Sequence, residues 1–524
     1  MHAHRISRPL AVEQMVLAQP SRTAKRVHAH RKPRPYVTQY IPAQSEVRAM
    51  AGRGNIVPVY REVRADLETP VSAFLKVARG SYSLLLESVE GGERVGRYSF
   101  IGTEPYRVVS RTYEDGDPLI DIEAELGRFQ SVDVPGLPRF HGGAVGYLGY
   151  EVARHFEPRI PAPERDVLGV PESWLMFTDS LLVFDHLLQK IKVVAHVRLD
   201  GDIDAAYEQA RAKIDQLVAR LEQPLSSLPY HPCERPTGRE VVSNWKREDF
   251  LTAVDRTKEY IRAGDIIQAV LSQRFSRETG AHPFEVYRSL RAINPSPYMY
   301  FLQFGDTYIV GASPELLVKV EDGRVDVHPI AGTRPRGTNA LEDSRLAEEL
   351  SHDPKELAEH VMLLDLGRND VGRVSEPGSV EVMQRFDIEY YSHVMHLVSH
   401  VHGTLRTGTS PYDALRSAFP AGTVSGAPKI RAMEIVAELE PDQRGPYAGG
   451  VGFFDLSGNV ETCITIRTLL MKDGWAHVQA GAGIVFDSDP VKEFEECQHK
   501  ARALLAAIDD AERSESVAVG SLGY

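Results

Sequence analysis

Cysteine is scarce: three in 524 residues, Cys233, Cys463 and Cys497, all far apart. No Cys-x-x-Cys pair occurs, which argues against a zinc knuckle and a disulfide framework. A reducing, cytoplasmic compartment is the simplest setting for such a chain. No apolar run reaches the length of about eighteen residues that a transmembrane helix needs, so no membrane span is expected. Surplus positive charge is also missing. The 60 Lys and Arg against 73 Asp and Glu leave a net charge of −13, the wrong sign for a general nucleic-acid binder. What is there is 42% hydrophobic and 25% charged, an ordinary globular composition. It excludes a disordered chain, a collagen and a coiled-coil rod.

Charge is uneven along the chain. Residues 1–50 carry nine Lys/Arg and two Asp/Glu, a net of +7, against −20 for the rest. This leader shows no periodicity and is expected to be a disordered tail, a start misplaced ahead of Met50, or an organelle-targeting segment. It lacks the apolar core of a secretory signal. Residues 55–225 read as a first subdomain, and 240–510 as a second. Pro224, Pro229, Pro232 and Pro236 mark a linker between them. Residues 511–524 read as a tail. Along 266–275, Ile267, Ala269, Leu271 and Phe275 fall on one strand face, and Gln268, Ser272 and Arg274 on the other. Strands and helices alternate irregularly, with no repeated βαβ unit. The expected fold is α+β, with large antiparallel sheets flanked by helices and two interleaved subdomains.

Two segments are built alike. Asp353-Pro354 and Asp489-Pro490 each place an N-cap and a first-turn proline ahead of a helix. Each helix then carries glutamates three apart, Glu356/Glu359 and Glu493/Glu496, on one face. A cation between two such starts would relieve the repulsion, and magnesium suits hard oxygen ligands. Two solvated acidic helix starts would look the same. Gly422–Lys429 fails the phosphate-loop pattern and reads as an anion-binding or capping turn. Gln479–Phe486 is glycine-rich without being a dinucleotide fingerprint; it fits either close approach of a ligand or a β-bulge. His393 and His396 are candidates for acid–base work or for structural roles. Arg467, between Ile464, Ile466 and Thr468, reads as a strand residue that is paired inside or clamps a carboxylate.

Several long stretches occur together: Ile330–Gly337 (IAGTRPRG), Glu359–Asp370 (EHVMLLDLGRND), Tyr391–Ser399, Ala421–Lys429 (AGTVSGAPK) and Gln479–Val485. In this order they resemble the chorismate-utilising enzymes, and among those the anthranilate synthase large subunits, over roughly residues 55–510. The resemblance implies conversion of chorismate and ammonia to anthranilate and pyruvate, with Mg2+ as cofactor. Glu359 and Glu496 would hold the metal, with Glu356 and Glu493 in support. Gly332, Thr333, Tyr447, Arg467, Gly481, Ala482 and Gly483 would contact chorismate. His396, Glu315, Thr423 and Gln268 would serve the chemistry.

Two positions set this chain apart from sister enzymes. Water-adding relatives have a lysine base where Gln268 stands, and aminodeoxychorismate synthases often have a lysine where Ala331 stands. The resemblance further implies feedback inhibition by L-tryptophan bound in the N-terminal subdomain, at Glu87, Ser88, Pro297, Tyr298 and Met299. It also implies a separate glutamine amidotransferase subunit, in a heterotetramer. None of the three cysteines sits in the GxCxG-like elbow such a subunit needs. Two competing readings are an aminodeoxychorismate synthase, disfavoured by Ala331, and a non-catalytic tryptophan-binding regulator, disfavoured by Glu359, Glu496, His396 and Arg467.

Overall fold

The computed structural model describes residues 39–88, 96–225, 240–391 and 394–520, with side chains to residue 513. Cys233, His393 and most of the proline-rich linker lie outside these residues. Two large antiparallel sheets dominate, as expected from the irregular alternation of elements. The first has twelve strands. It runs from Ile56–Arg64 through Lys190–Arg198, Ser180–Asp185, Tyr98–Thr103 and Tyr82–Glu87. It continues through Tyr298–Phe304, Thr307–Ser313, Thr468–Lys472 and Trp475–Ile484 to Gln268–Glu278. The second has ten strands, from Ile330–Pro335 and Val394–Thr404 through Leu316–Glu321, Val460–Ile464 and Gly450–Asp455 to Gly143–Leu148 and Ser173–Thr178. Each sheet thus takes strands from both halves of the chain, so the two subdomains share their cores.

The strands read as apolar runs because both faces are covered. In Lys190–Arg198, Ile191, Val193, Val194, Ala195 and Val197 are all fully buried. One face is covered by the helix Ile203–Leu221, whose Tyr207, Ala210, Ile214, Leu217, Val218 and Leu221 form one stripe at helical spacing. Each such side chain removed from water contributes about 1.5–3 kcal/mol. Asp202 caps this helix by accepting from the Asp204 and Ala205 amides.

Two of the places where the chain passes between the sheets lie side by side. Thr307–Ser313 belongs to the first sheet and Leu316–Glu321 to the second, so Pro314 and Glu315 form one crossover. Val460–Ile464 belongs to the second and Thr468–Lys472 to the first, so Thr465–Arg467 form the other. The crossovers are stitched together. Ile464 N donates to Glu315 O at 3.0 Å, Ala312 N to Arg467 O at 3.0 Å, and Ser313 Oγ to Ile464 O at 2.7 Å.

Four expectations change. Residues 39–50 belong to the fold rather than to a disordered leader: helix Gln44–Ala49 buries Val47, and Ile41 bridges to Tyr60. The expected tail at 511–524 begins inside the helix Pro490–Gly520, where Ala511 is fully buried. Ile267 is 61% exposed, because it precedes the strand that starts at Gln268. Arg467 is not in a strand. It has φ +51° at the turn between the sheets, where the chain must change direction.

Candidate active site

The two acidic helix starts are capped as the sequence suggests. Asp353 accepts from the Lys355 and Glu356 amides at 2.9 and 3.2 Å, and Asp489 from Val491 and Lys492 at 3.0 and 3.1 Å. Spacing alone could not show whether these helices come near each other; tertiary structure brings their side chains within electrostatic reach. Lys355 on the first acts on Glu493 of the second, and Lys500 on the second acts on Glu359 of the first and on Glu315. Burial holds the Glu359 carboxyl above its ordinary pKa, and Glu356 adds to the effect. Burial and then Glu496 do the same to Glu493. Gln268 Nε2 donates to Glu359 Oε1 at 3.3 Å. Glu356 is engaged by Arg334 at 3.2 Å, and the same guanidinium binds Asp353 at 2.8 Å. Among the described residues no group of three or more His, Cys, Asp or Glu forms a complete metal cage. The carboxylates of Glu356, Glu359, Glu493 and Glu496 are hard oxygen donors, the ligand chemistry that magnesium takes.

The next wall is the strand pair Ile330–Pro335 and Val394–Thr404. Register shifts between Ala331 and Thr333, and Gly332 takes up the shift at φ +59°. A Cβ there would meet Leu350 Cδ1 at 2.9 Å and Glu356 Oε2 at 3.1 Å, so only glycine fits. Thr333 lies opposite His396. His396 Nδ1 is 3.1 Å from the Gly332 carbonyl and 3.0 Å from Thr333 Oγ1. A carbonyl only accepts, so this pattern assigns the proton to Nδ1 and leaves Nε2 as the basic nitrogen. Burial lowers the His396 pKa, and the Arg467 charge lowers it further, so the ring is neutral near pH 7.

The sheet crossovers supply the third wall. Thr423 Oγ1 donates to Glu315 Oε1 at 3.0 Å, and burial pushes the Glu315 carboxyl up to about 8. Glu315 is therefore a neutral acid at pH 7 that ionises above its shifted pKa. As a proton donor it makes kcat/KM fall as pH rises through about 8. A kcat/KM flat to pH 9 would remove Glu315 from that role, and the profile of Glu315→Gln checks the assignment. The Arg467 guanidinium is partly buried and has no hydrogen-bond or ion-pair partner among the described residues; Tyr447 and Glu496 act on it electrostatically. Gly481 lies against the Tyr447 hydroxyl, where a Cβ would come within 2.8 Å; at Gly483 a Cβ would come within 2.7 Å of Gln268 Nε2. Trp475–Ile484 pairs with Gln268–Glu278 without a register break, so no bulge lies here, and the glycines leave room for the Tyr447 and Gln268 side chains.

Sequence reading missed three groups here. Lys500 Nζ lies 2.7 Å from Glu496 and 2.9 Å from the Gly481 carbonyl; its position four residues after Glu496 was the available signal. Arg444, fully buried, donates to Glu440 and to the Val424 and Val270 carbonyls, tying the Thr423 turn to the Gln268 strand. Glu151, from the N-terminal half, accepts from the Arg444 and Gly445 amides at 2.7 and 3.0 Å, close to Tyr447. Lys429, at the end of the loop that resembles a phosphate loop, is not offered to an anion. It pairs with buried Asp370 at 2.8 Å.

A cavity of about 1970 Å³ lies elsewhere. Ser88, Pro297, Tyr298, Met299 and Tyr300 line it, whereas Glu359, His396 and Arg467 do not. Ser88 Oγ is buried with no hydrogen-bond partner among the described residues. Glu87 also borders this cavity, but its carboxylate is taken by Tyr287 and Arg291.

Residues 82–506 match the family of chorismate binding enzymes. The anthranilate synthase component 1 of Acetivibrio thermocellus is 50% identical over 492 residues, covering 90% of this chain and 99% of that protein. That of Pseudomonas aeruginosa is 50% identical over 487 residues, covering 89% and 98%. The crystal structure of anthranilate synthase component I from Streptococcus pneumoniae superposes with a TM-score of 0.70 at 37% identity, covering 84% of this chain and 99% of that one. The menaquinone-specific isochorismate synthase of Escherichia coli shares the fold, with a TM-score of 0.66 at 18% identity, covering 89% and 98%. An enzyme that acts on chorismate, this chain belongs to the chorismate-binding family, alongside the anthranilate synthase component 1 proteins.

Proposed function

We propose that the chain converts chorismate and ammonia to anthranilate, pyruvate and water, as the first committed step towards tryptophan. What supports this is the placement of Arg467, whose guanidinium has no partner among the described residues, within electrostatic reach of His396, Tyr447 and Glu496 and beside the crossover that carries Glu315. Arg467 and the Tyr447 hydroxyl would hold the enolpyruvyl carboxylate through charge-assisted contacts. Ammonia adds at ring C2 while the C4 hydroxyl leaves, and the Glu315 carboxylic acid gives that hydroxyl its proton. His396 Nε2 is the base available to remove the C2 proton as the ring C3–O bond breaks, and the departing enolpyruvate takes up a proton on its methylene carbon to become pyruvate. Gln268 cannot deprotonate water, which favours ammonia as nucleophile. Ala331 offers no amine for a covalent adduct, which favours anthranilate over aminodeoxychorismate.

Glu359 and Glu496, supported by Glu356 and Glu493, would hold magnesium, which when bound supplies positive charge for the ring carboxylate and the departing hydroxyl. Glu359→Gln is expected to weaken magnesium binding by about 10–100-fold. Calorimetric titration with magnesium, alongside activity, checks it; wild-type affinity would move the metal elsewhere.

The chain is proposed to receive ammonia from a separate glutamine amidotransferase subunit, within a heterotetramer. Purified alone, it should make fluorescent anthranilate from chorismate and free ammonia, only with magnesium, and not from glutamine; adding the amidotransferase should restore glutamine use. No anthranilate under any of these conditions would overturn the assignment, and glutamine use by the chain alone would overturn the partner. L-Tryptophan is proposed to inhibit from the large cavity, with Ser88, Pro297, Tyr298 and Met299 as contacts. By reciprocal linkage, chorismate must then weaken tryptophan binding. Ser88→Phe is expected to leave activity intact and abolish inhibition; full inhibition of this variant would place the inhibitor elsewhere.

A further inference from the structure

One crossover residue has no part in the reaction as drawn above. Thr468 follows Arg467 directly and starts the strand Thr468–Lys472. Its hydroxyl donates to the Ile466 carbonyl at 2.8 Å, closing a hydrogen bond around Arg467. Arg467 sits there with left-handed φ of +51°. A non-glycine residue stays in that region only where its surroundings hold it. On the far side, the Arg467 carbonyl accepts from Ala312 N at 3.0 Å.

A hydroxyl has one proton to give. With that proton committed to Ile466, Thr468 Oγ1 accepts from Tyr300 Oη, 2.6 Å away. Tyr300 reaches it from two strands off. In register, Tyr300 pairs with Gly311, and Gly311 pairs with Thr468. The tyrosine ring lies over Gly311, where a Cβ would come within 2.2 Å of it. Tyr300 and Thr468 are 1% and 9% exposed, so this chain of hydrogen bonds is shielded from water. The Arg467 guanidinium itself has no partner among the described residues. The point from which the side chain leaves the turn is set by its backbone, and these bonds hold that backbone.

We propose that Thr468 is a positioning residue for Arg467, anchored by Tyr300, so that the Tyr300–Thr468–Ile466 chain holds the turn from which the guanidinium reaches the substrate carboxylate. The proposal rests on the reading of Arg467 as the carboxylate ligand. Tyr300 also borders the large cavity, so the anchor reaches the active-site turn from that side.

The test is steady-state kinetics with chorismate and ammonia on the full chain, with melting temperatures as a folding control. Thr468→Val keeps the shape and loses the hydroxyl. It is expected to raise the KM for chorismate about tenfold, with kcat within about twofold of wild type. Thr468→Ser, which keeps the hydroxyl, is expected to return KM to within about threefold of wild type. Tyr300→Phe should move KM in the same direction by a smaller factor. Arg467→Ala should raise KM further, and adding Thr468→Val to it should change nothing more, because both act through one group. Wild-type KM in Thr468→Val, failure of the serine to rescue, or full additivity with Arg467→Ala would each overturn the positioning role. Wild-type KM in Tyr300→Phe would overturn the anchor. Wild-type KM in Arg467→Ala would instead remove the carboxylate reading beneath the proposal.

Discussion

His396→Ala is expected to lower kcat by about 10²–10⁴-fold, the range for a general acid–base group. The melting temperature should change little. His396 is only partly buried, and its Nδ1 contacts are to one backbone carbonyl and one threonine hydroxyl. The register of Thr333 against His396 comes from the backbone ladder, which alanine preserves. The missing ring therefore costs the proton transfer and not the strand. Steady-state kinetics beside a thermal melt checks this. A kcat within about threefold of wild type, or a collapse in stability with it, would make the histidine structural.

Glu440→Ala is expected to cost about 3–5 kcal/mol of stability, the usual consequence of removing one partner from a buried ion pair. Arg444 is 1% exposed, and its Nε and Nη2 donate to Glu440 at 2.8 and 2.7 Å. Glu440 also accepts from Ser272 N and Ser272 Oγ, each at 2.8 Å. Alanine leaves a buried guanidinium and two serine donors without their acceptor. The same arginine reaches the Val424 and Val270 carbonyls, so activity should fall with stability. Denaturant unfolding of the variant checks it, with Glu440→Gln expected to lose less because the amide oxygen still accepts. A loss below about 1 kcal/mol for Glu440→Ala would show that water replaces the carboxylate and that the site is less dry than it looks.

Local chemistry was legible where neighbours in sequence do the work. The aspartate caps and first-turn prolines at 353–354 and 489–490 specify helix starts whatever packs around them, and the structure has both. Gly264 ends the helix Arg247–Ala263 in the left-handed conformation, which glycine just past a helix end adopts without strain. Leader and tail were harder, because polar composition hides a single anchoring residue. Val47 and Ala511 each decide that their segment packs. Arg467 misled for a related reason: its alternation with Ile464 and Ile466 resembles a strand, although those residues span the turn between two sheets.

The order of the motifs and the two acidic helix starts follow from the chain read end to end, and they sufficed for the family and the candidate residues. The approach of those two starts, the raised pKa of Glu315 and the lack of a partner for the Arg467 guanidinium among the described residues depend on contacts across large sequence separations. Lys500 lies 185 residues after Glu315, yet it bears on the charge of that carboxyl. Short-range pattern carries no information about such pairs. They come into being only when the two sheets are spliced at Glu315 and Arg467 and water is driven from the seam. That dehydration raises the Glu315 carboxyl and lowers the His396 imidazole, and burial is a property of the folded whole.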